Sequence, residues 1–497
     1  MHANLASIMP QVAAVWCEED GHEVTLICYT GLENLVDELP REVDLVIIGA
    51  FTQAAQLSYA LSSLFRSRGA VTVLGGPHAR CYPQDAQKYF DYVLGFTDKA
   101  VLRQVLQECA PHRPVGVRVA SARQPLGLPG VEERWKFIEP TLRKAPLIKM
   151  VPMIGSLGCP YTCSFCIDSE VPYQPLDFET LKSDLRFLLA KFKRPLVGWH
   201  DPNFGVRFDD YMNAIEEAVP PGRMEFIAES SLSLLSEPHL RRLKKNGFKA
   251  MLPGVESWYD MGDKSKTGSS TGLDKVKRVS EHVNMILSYL PYVQTNFVLG
   301  LETDQGTEPF ELTKRFIDMT PGAFPGYSLL SSFGEAAPIN LSYQRENRLL
   351  PFPHHFLDNN QAMNVTPRNY GWPEFYRNLA DLTKYSFSPK SIANRFRANR
   401  EPIPTWMNVV RAMSSEGYGR SRYHRMILDR LNNDPQFAPF FEGRSRKLPD
   451  FYVDRVKRGL GPLWEWLPEG GLDHDPNAYL ESSQASIPPQ RDSSSWS

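Results

Sequence analysis

Cysteine is scarce in this chain, with seven among 497 residues, and no apolar signal segment is present. These two absences argue against a disulfide framework. No run of eighteen apolar residues occurs, so the sequence predicts no membrane span. A formal net charge of −2 leaves no basic surplus, and nucleic acid is not an expected partner. Hydrophobic and charged contents of 42% and 23% are ordinary for a globular protein of about three domains.

Three of the seven cysteines stand together in one short run, as Cys159, Cys163 and Cys166. Their C-x3-C-x2-C spacing suits three thiolates that converge on an iron–sulfur cluster. A 4Fe–4S cluster needs four ligands, and the other four cysteines are scattered singly through the first 110 residues. One iron would therefore stay open to bind something else. A structural zinc site usually needs a second pair of ligands, which this run lacks.

At this loop the sequence resembles the radical S-adenosylmethionine (radical SAM) enzymes, and the aromatic Phe165 before the last cysteine is typical of them. The resemblance implies that the open iron binds the amino and carboxylate groups of S-adenosylmethionine. It also implies reductive cleavage to a 5′-deoxyadenosyl radical, with an external one-electron donor such as flavodoxin or ferredoxin. An oxygen-labile cluster and free thiols point to the cytoplasm.

Residues 1–110 alternate between strands and helices. Apolar runs predict strands at 24–28, 43–49, 70–74 and 91–95, with helices at 5–18 and 54–68. This alternation predicts a parallel, doubly wound Rossmann-like sheet. Gly75 and Gly76 follow the third strand, where such sheets place their ligands.

The same stretch resembles the cobalamin-binding domain that precedes the barrel in one branch of radical SAM enzymes, on the phrases at 21–24, 44–46 and 75–79. The usual Asp-x-His-x-x-Gly loop is absent, and no strand precedes the first helix. Either the start of the chain is placed too late, or the domain is degenerate. Two alternatives stay open. Gly75 and Gly76 hold a base-off corrinoid, or the domain is a scaffold without one; His78 is interpreted as a loop residue, not a metal ligand.

Proline density predicts an extended linker at 111–147. Residues 148–335 alternate again, with six predicted strands at 149–154, 195–199, 223–228, 248–255, 293–299 and 327–331. The resemblance implies a partial (β/α)6 TIM-type barrel with the cysteine loop at the carboxyl end of its first strand. Residues 336–480 read as an α-rich extension over the barrel mouth, and 481–497 as a disordered tail. The predicted fold class is thus α/β: a Rossmann-like domain, a partial barrel and a helical extension.

S-adenosylmethionine needs polar partners at the barrel mouth, and the resemblance assigns them to the strand ends. The implied cofactor-binding residues are Phe165, Asp201, Asn203, Glu229, Glu256, Ser257, Gly300 and Glu302. Asp and Asn at such positions also cap turns through their own backbone, and that alternative stays open. A buried carboxylate without a partner is costly, which favours a ligand role for Glu256. The tyrosines at 161, 173, 327 and 370 either line a substrate pocket or are ordinary packing residues.

These observations predict a radical SAM enzyme that uses a 4Fe–4S cluster, S-adenosylmethionine and, if the first domain binds it, cobalamin. With cobalamin the expected outcome is methyl transfer to an unactivated carbon of a small or natural-product-like substrate. Without it, the outcome would be rearrangement, oxidation or coupling. A non-catalytic iron–sulfur protein is the remaining alternative, and polar strand ends such as Asp201, Glu256 and Glu302 argue against it. The catalytic residues and the substrate are not readable from the sequence.

Overall fold

The computed structural model describes residues 7–29, 31, 34–144, 148–399 and 401–478. It contains a small sheet within residues 45–119 and a large sheet within residues 150–329. All strand pairs in both sheets are parallel, which confirms the predicted α/β class. No helix in these described ranges is long and apolar enough to cross a membrane.

The small sheet is built from short apolar strands with helices between them. Its elements are α1 (Ile8–Glu19), α2 (Leu35–Glu38), β1 (Leu45–Gly49), α3 (Ala55–Ser67), β2 (Val71–Gly75), α4 (Pro77–Cys81), α5 (Pro83–Ala86), β3 (Tyr92–Leu94), α6 (Lys99–Glu108) and β4 (Val117–Val119). The strands pair in the order β1-β2-β3-β4. Because this order never reverses, the predicted doubly wound arrangement with its switch point is not found in the part of the chain that the structure describes.

The strand predicted at residues 24–28 is wrong, because these residues belong to no strand. Val24 and Leu26 pack near α1, and Ile27 packs with the cluster around Leu35. β1 is the edge strand, and no described strand lies beside it to extend the sheet in this direction. An apolar run predicts burial, but a strand also needs a partner for its backbone groups.

The segment 111–147, predicted as an extended linker, contains one strand and one helix in its described part, while residues 111–116 and 120–134 belong to neither. β4 joins the small sheet beside β3. Helix α7 (Trp135–Lys144) follows and packs Ile138 and Leu142 into the core that also holds the large sheet. Only part of the segment is therefore irregular chain, and α7 includes Pro140.

The six strands of the large sheet lie within three residues of the bounds predicted for them. The elements are β5 (Met150–Met153), β6 (Ser156–Leu157), β7 (Gln174–Pro175), α8 (Phe178–Lys191), β8 (Leu196–Trp199), α9 (Phe208–Ala218), β9 (Glu225–Ser231), α10 (Glu237–Lys245), β10 (Phe248–Glu256), α11 (Gly262–Ser265), α12 (Gly272–Tyr289), β11 (Tyr292–Leu299), α13 (Glu308–Met319) and β12 (Phe324–Leu329). The strand order is β5-β8-β9-β10-β11-β12, while β6 and β7 form a separate antiparallel pair.

The two faces of the large sheet differ in burial. On the outer face, alternate residues such as Phe226, Ala228 and Val293 are fully packed against helices. On the inner face the side chains are only partly covered, and several are polar. These inner residues include Ile227, Glu229, Leu252, Glu256, Asn296, Val298 and Ser328. A parallel sheet normally buries both faces, so the open inner face marks a chamber.

The remaining described chain, as predicted, is mainly helical. Its helices are α14 (Ile339–Arg345), α15 (Trp372–Ser386), α16 (Pro389–Ala398), α17 (Pro402–Met413), α18 (Tyr418–Asn433), α19 (Phe437–Phe441) and α20 (Asp450–Leu460). Aromatic side chains, among them Phe352, Phe441 and Tyr452, join the core of the large sheet. The tail predicted as disordered lies outside the described residues.

Candidate active site

The three cysteines lie on the loop that leaves β5, and the β6–β7 pair brackets this loop. The Cys159 N–H donates to the Val171 carbonyl (3.2 Å), and the Cys166 N–H donates to the Cys163 carbonyl (2.9 Å). The loop depends on Gly158, whose φ is +69° and where a Cβ would lie 2.2 Å from the Pro172 oxygen. Only glycine fits both conditions.

Burial raises the pKa of all three thiols, and that of Cys166 reaches about 11. Uncharged thiols in such a place ionise when a metal binds them, because a coordinating thiol is deprotonated by the ion. The Asp168 N–H already donates to the Cys166 sulfur (3.4 Å), the kind of hydrogen bond that tunes iron–sulfur centres. This donor set fits a 4Fe–4S cluster with three protein ligands.

A lysine that the sequence reading did not assign to the site lies beside the cysteines. Lys264 donates to Glu256 (2.6 Å), and the two side chains are 21% and 11% exposed. Burial works to lower the pKa of Lys264, but Glu256 and Cys163 raise it above its usual value. The lysine therefore stays charged next to the cluster ligands. The available sequence signal was its position eight residues after the predicted Glu256.

Local backbone geometry fixes Glu256. It has a φ of +64°, unusual for a residue with a side chain, and the register of β10 against β11 shifts between Gly254 and Glu256. A Cβ at Gly254 would lie 2.1 Å from Glu256 Oε1, so the glycine makes room for this carboxylate. Strained conformations of this kind cluster at functional sites.

Glu229 is the second carboxylate on the inner face of the large sheet. Its side chain forms no hydrogen bond or ion pair with any described residue and remains open to solvent. Desolvation and the nearby Glu256 nevertheless raise its pKa, while Lys264 opposes this. A carboxylate that is both accessible and desolvated lines an enclosed chamber.

Asp201, which the resemblance places among the cofactor-binding residues, is buried, and its carboxylate is hydrogen-bonded to the protein. Its carboxylate accepts hydrogen bonds from the Gly155 N–H (3.0 Å), the Ser156 hydroxyl (2.6 Å) and the Tyr211 hydroxyl. Burial raises its pKa against these donors. Since Gly155 and Ser156 begin the cysteine loop, Asp201 holds that loop to the end of β8. The capped-turn alternative therefore describes Asp201 better.

Asn203 and Ser257 also have local partners. The Asn203 side-chain oxygen accepts from the Ser231 N–H (2.8 Å), which joins the ends of β8 and β9. The Ser257 hydroxyl accepts from the Tyr259 N–H (3.1 Å) in the turn after β10. These bonds are those of turns and strand ends.

The region after β11 is held by a buried carboxylate that the sequence reading missed. Asp304 accepts from the Gly300 N–H (2.9 Å) and the Leu301 N–H (3.1 Å), and burial raises its pKa to about 7. Gly300 has a φ of +90°, and a Cβ there would lie 2.9 Å from the Met363 methyl. Glu302 pairs with Arg348 and Arg368 (both 2.9 Å), so its carboxylate is already neutralised.

A cavity of about 400 Å³ lies beside the cysteine loop, and Ser164, Glu302, Tyr343 and Arg368 line it. Phe165 packs against the main core. Of the four tyrosines, Tyr161 bonds to Ser233 (2.7 Å) and Tyr327 to Ser386 of α15 (2.6 Å). The hydroxyls of Tyr173 and Tyr370 are buried without a hydrogen-bond partner among the described residues.

The small sheet directs its β2 end toward this site. Arg80 of α4 pairs with Asp168 (3.2 Å) and donates to the Ile167 carbonyl (2.8 Å), so it touches the cysteine loop. Gly76 has a φ of +88° and packs on Ala50, whereas a Cβ at Gly75 would meet nothing within 4 Å. His78 is buried, with its Nε2 2.7 Å from the Tyr59 hydroxyl. Open space therefore lies beside Gly75, while Gly76 serves the turn.

Known proteins resemble the chain over most of its length. No protein-family model matches it. The chain is 21% identical, over 73% of its length and 80% of the relative, to a bacteriochlorophyllide d C-12(1)-methyltransferase of Chlorobaculum tepidum. Among solved structures it is similar to the radical S-adenosylmethionine methyltransferase TsrM from Kitasatospora setae, with tryptophan and a SAM analogue bound. That likeness has a TM-score of 0.57 and 14% identity and covers 86% of this chain and 97% of TsrM.

A second solved structure is OxsB, a cobalamin-dependent S-adenosylmethionine radical enzyme with aqua-cobalamin and S-adenosylmethionine bound. Its TM-score is 0.54 at 13% identity, covering 98% of this chain and 80% of OxsB. Both solved structures share the fold of this chain, and both are named as S-adenosylmethionine radical enzymes. The resemblance drawn from the sequence is confirmed: the chain is similar to radical SAM enzymes with the cobalamin-associated architecture.

Proposed function

We propose that this chain is a cobalamin-dependent radical SAM methyltransferase that acts on a small-molecule substrate. The observation that carries the proposal is the three-cysteine loop, which lies between the inner face of the large sheet and the β2 end of the small sheet. The names of the similar proteins support it, since they include methyltransferases and a cobalamin-dependent enzyme. When bound, the cluster would supply the electron that cleaves S-adenosylmethionine, and cobalamin would supply a carrier for its methyl group.

In this proposal Cys159, Cys163 and Cys166 hold the cluster, and Lys264 stands beside it as a fixed positive charge. Three thiolates and an incoming carboxylate bring negative charge into a partly buried site, which is costly without compensation. Lys264 offsets part of that charge. Glu256 fixes the ammonium group in place through the 2.6 Å contact.

Glu229 is the residue that we assign to direct contact with S-adenosylmethionine. Its carboxylate has no partner among the described residues and lies near Glu256 and Lys264. An amine or a ribose hydroxyl would satisfy it, and charge-assisted hydrogen bonds of this type are about twice as strong as neutral ones. Asp201 and Asn203 would not contact S-adenosylmethionine themselves. They hold the cysteine loop and the ends of the strands, and so position the residues that do.

The substrate space is proposed to be the chamber over the inner face of the large sheet, with the cavity beside Ser164 as its outer part. Both polar and aromatic groups line that cavity, which suits a compact organic molecule. The electron is proposed to come from an external one-electron donor. The small sheet would hold cobalamin over Gly75, with no protein histidine on its lower face, because His78 is engaged by Tyr59.

Anaerobic reconstitution with iron, sulfide and hydroxocobalamin tests this proposal. The protein should retain about four irons and one corrinoid per chain after desalting. With a reductant and S-adenosylmethionine it should form both S-adenosylhomocysteine, from methyl donation, and 5′-deoxyadenosine, from reductive cleavage. Retention of the irons with no corrinoid, from folded protein, would contradict the methyltransferase proposal.

A cobalamin-independent radical reaction is the second candidate, and one observation favours it. The described strands of the small sheet have no switch point, and residues 24–28 do not pair with them. In that case the small sheet would be a scaffold, and the outcome would be rearrangement, oxidation or coupling. Formation of 5′-deoxyadenosine without S-adenosylhomocysteine would support this candidate.

A further inference from the structure

A second group of potential metal ligands lies outside the cysteine loop, between the small sheet and the helical extension. Asp85 belongs to α5, His354 to a short helical turn at His354–Phe356, and His474 to the last described residues. One ligand atom from each residue lies within 4.8 Å of the others. The three residues are 5%, 1% and 7% exposed.

The donor set is one carboxylate and two imidazoles, which suits zinc or a similar divalent transition metal. His354 Nε2 lies 3.0 Å from Asp85 Oδ2. Two ligands of a tetrahedral zinc ion at about 2.0–2.1 Å are about 3.3 Å apart. The pair therefore needs to separate by only a few tenths of an ångström to admit the ion. Three protein ligands leave a fourth position for water.

One imidazole of this cluster has no hydrogen-bond partner among the described residues, which points to a missing ligand. The His474 ring forms no hydrogen bond with any described residue and instead packs beside His354, with ring centroids 4.4 Å apart. Buried polar groups are normally paired, so the unpartnered His474 ring beside the His354–Asp85 pair needs an explanation.

Neighbouring side chains hydrogen-bond to the candidate ligands, as they do at known metal sites. The Tyr59 hydroxyl donates to Asp85 Oδ2 (2.9 Å) and lies 2.7 Å from His78, while Lys88 contacts the other carboxylate oxygen. Groups of this kind orient ligands at metal sites. Gln56 of α3 bonds to the His355 N–H (2.8 Å) and to the Gly471 carbonyl (3.2 Å), which fixes both histidine-bearing segments against the small sheet.

We propose that Asp85, His354 and His474 bind one divalent transition-metal ion that links the helical extension to the small sheet. A carboxylate with two imidazoles favours zinc as this ion. On binding, the ring proton that His354 donates to Asp85 moves to the other ring nitrogen, so no redox step or co-reactant is needed. The site is separate from the cysteine loop and does not depend on the proposed reaction. The ligands are up to hundreds of residues apart in sequence. An ion that joins them would therefore close long loops of the chain, whose closure costs conformational entropy.

The test is a combined zinc and iron analysis of anaerobically reconstituted holoprotein, incubated with excess zinc sulfate and then desalted. A full complement of about four irons shows that the cysteines are occupied by the cluster. Wild-type protein should then retain one zinc per chain. His474→Ala and the gentler His474→Gln should bind zinc at least tenfold more weakly in competition with a chromophoric chelator.

His355→Ala is the matched control, because His355 adjoins His354 in sequence but is not one of the three ligands. It should retain zinc as the wild type does. Iron content and the melting temperature without zinc report whether each variant folds. Absence of zinc from iron-loaded wild type, or equal zinc affinity in folded His474→Gln, would overturn the proposal and make the cluster a purely hydrogen-bonded contact.

Discussion

The strands β8, β9 and β10 each end near a carboxylate at the mouth of the large sheet. These carboxylates differ in how many partners they have within the protein. Asp201, after β8, accepts three hydrogen bonds from the protein itself. Glu229 has no described partner, and Glu256 pairs with Lys264 among the described residues. A carboxylate whose two oxygens both accept hydrogen bonds from the protein stabilises structure, whereas one with few such bonds is available to a ligand. The comparison therefore assigns loop support to the β8 side and cofactor contact to the β9–β10 side.

The largest expected effect is on the β8 side. Asp201→Ala would leave the Ser156 and Tyr211 hydroxyls and the Gly155 N–H without their acceptor, at about 1–3 kcal/mol for each buried group. We expect the free energy of unfolding to fall by about 3 kcal/mol or more, and the iron content after reconstitution to drop because the cysteine loop loses its anchor. Denaturant titration and iron analysis measure both. Normal stability together with normal iron would break the comparison.

Lys264→Met is expected to act next most strongly. It leaves Glu256 partly buried and unpaired, and removal of one partner from a buried ion pair costs about 3–5 kcal/mol, less here because the lysine is partly exposed. The affinity for S-adenosylmethionine should fall by at least tenfold. Equilibrium binding to the cluster-loaded protein checks this, with the exposed Lys266→Met as the matched control. Unchanged affinity in Lys264→Met would remove the lysine from the site.

Glu229→Gln sharpens the comparison from the other side. The change preserves shape and removes a charge that no described residue neutralises, so stability and iron content should stay at wild-type values. S-adenosylmethionine should bind about tenfold more weakly, the loss of roughly one charge-assisted hydrogen bond. Glu225→Gln, near the start of the same strand, is the control. A loss of iron in Glu229→Gln would show a structural role like that of Asp201.

The smallest effect concerns Asp304, which supports the Gly300 loop. Burial raises its pKa to about 7 in the folded protein, above the usual value near 3.8. A raised carboxyl pKa contributes stability at low pH that is lost as pH rises through the folded value. Wild type should therefore lose about 1 kcal/mol more between pH 6 and 8 than Asp304→Asn, which keeps an acceptor for the two N–H groups. Parallel denaturation curves at both pH values would contradict this.

Some features of the fold and site were readable because they are local in sequence. The cysteine spacing is contained in eight residues, and the apolar runs of β5 and β8–β12 carry their own pattern. The partners of Asp201 could not be read, since Ser156 and Tyr211 meet it only through the fold. The position of Lys264 beside the cysteines could not be read for the same reason, because Cys163 is about a hundred residues away in the sequence. The strand wrongly predicted at 24–28 is a different kind of failure. The apolar pattern is present there, but no described strand pairs with these residues.

The central claim is that three cysteines leave one iron of the cluster open to S-adenosylmethionine. Mössbauer spectroscopy of ⁵⁷Fe-reconstituted protein, recorded with and without S-adenosylmethionine, tests it most directly. The account predicts about four irons per chain, of which one changes its spectrum when S-adenosylmethionine binds while the other three do not. Identical spectra in the two samples, with a saturating concentration of S-adenosylmethionine, would contradict it.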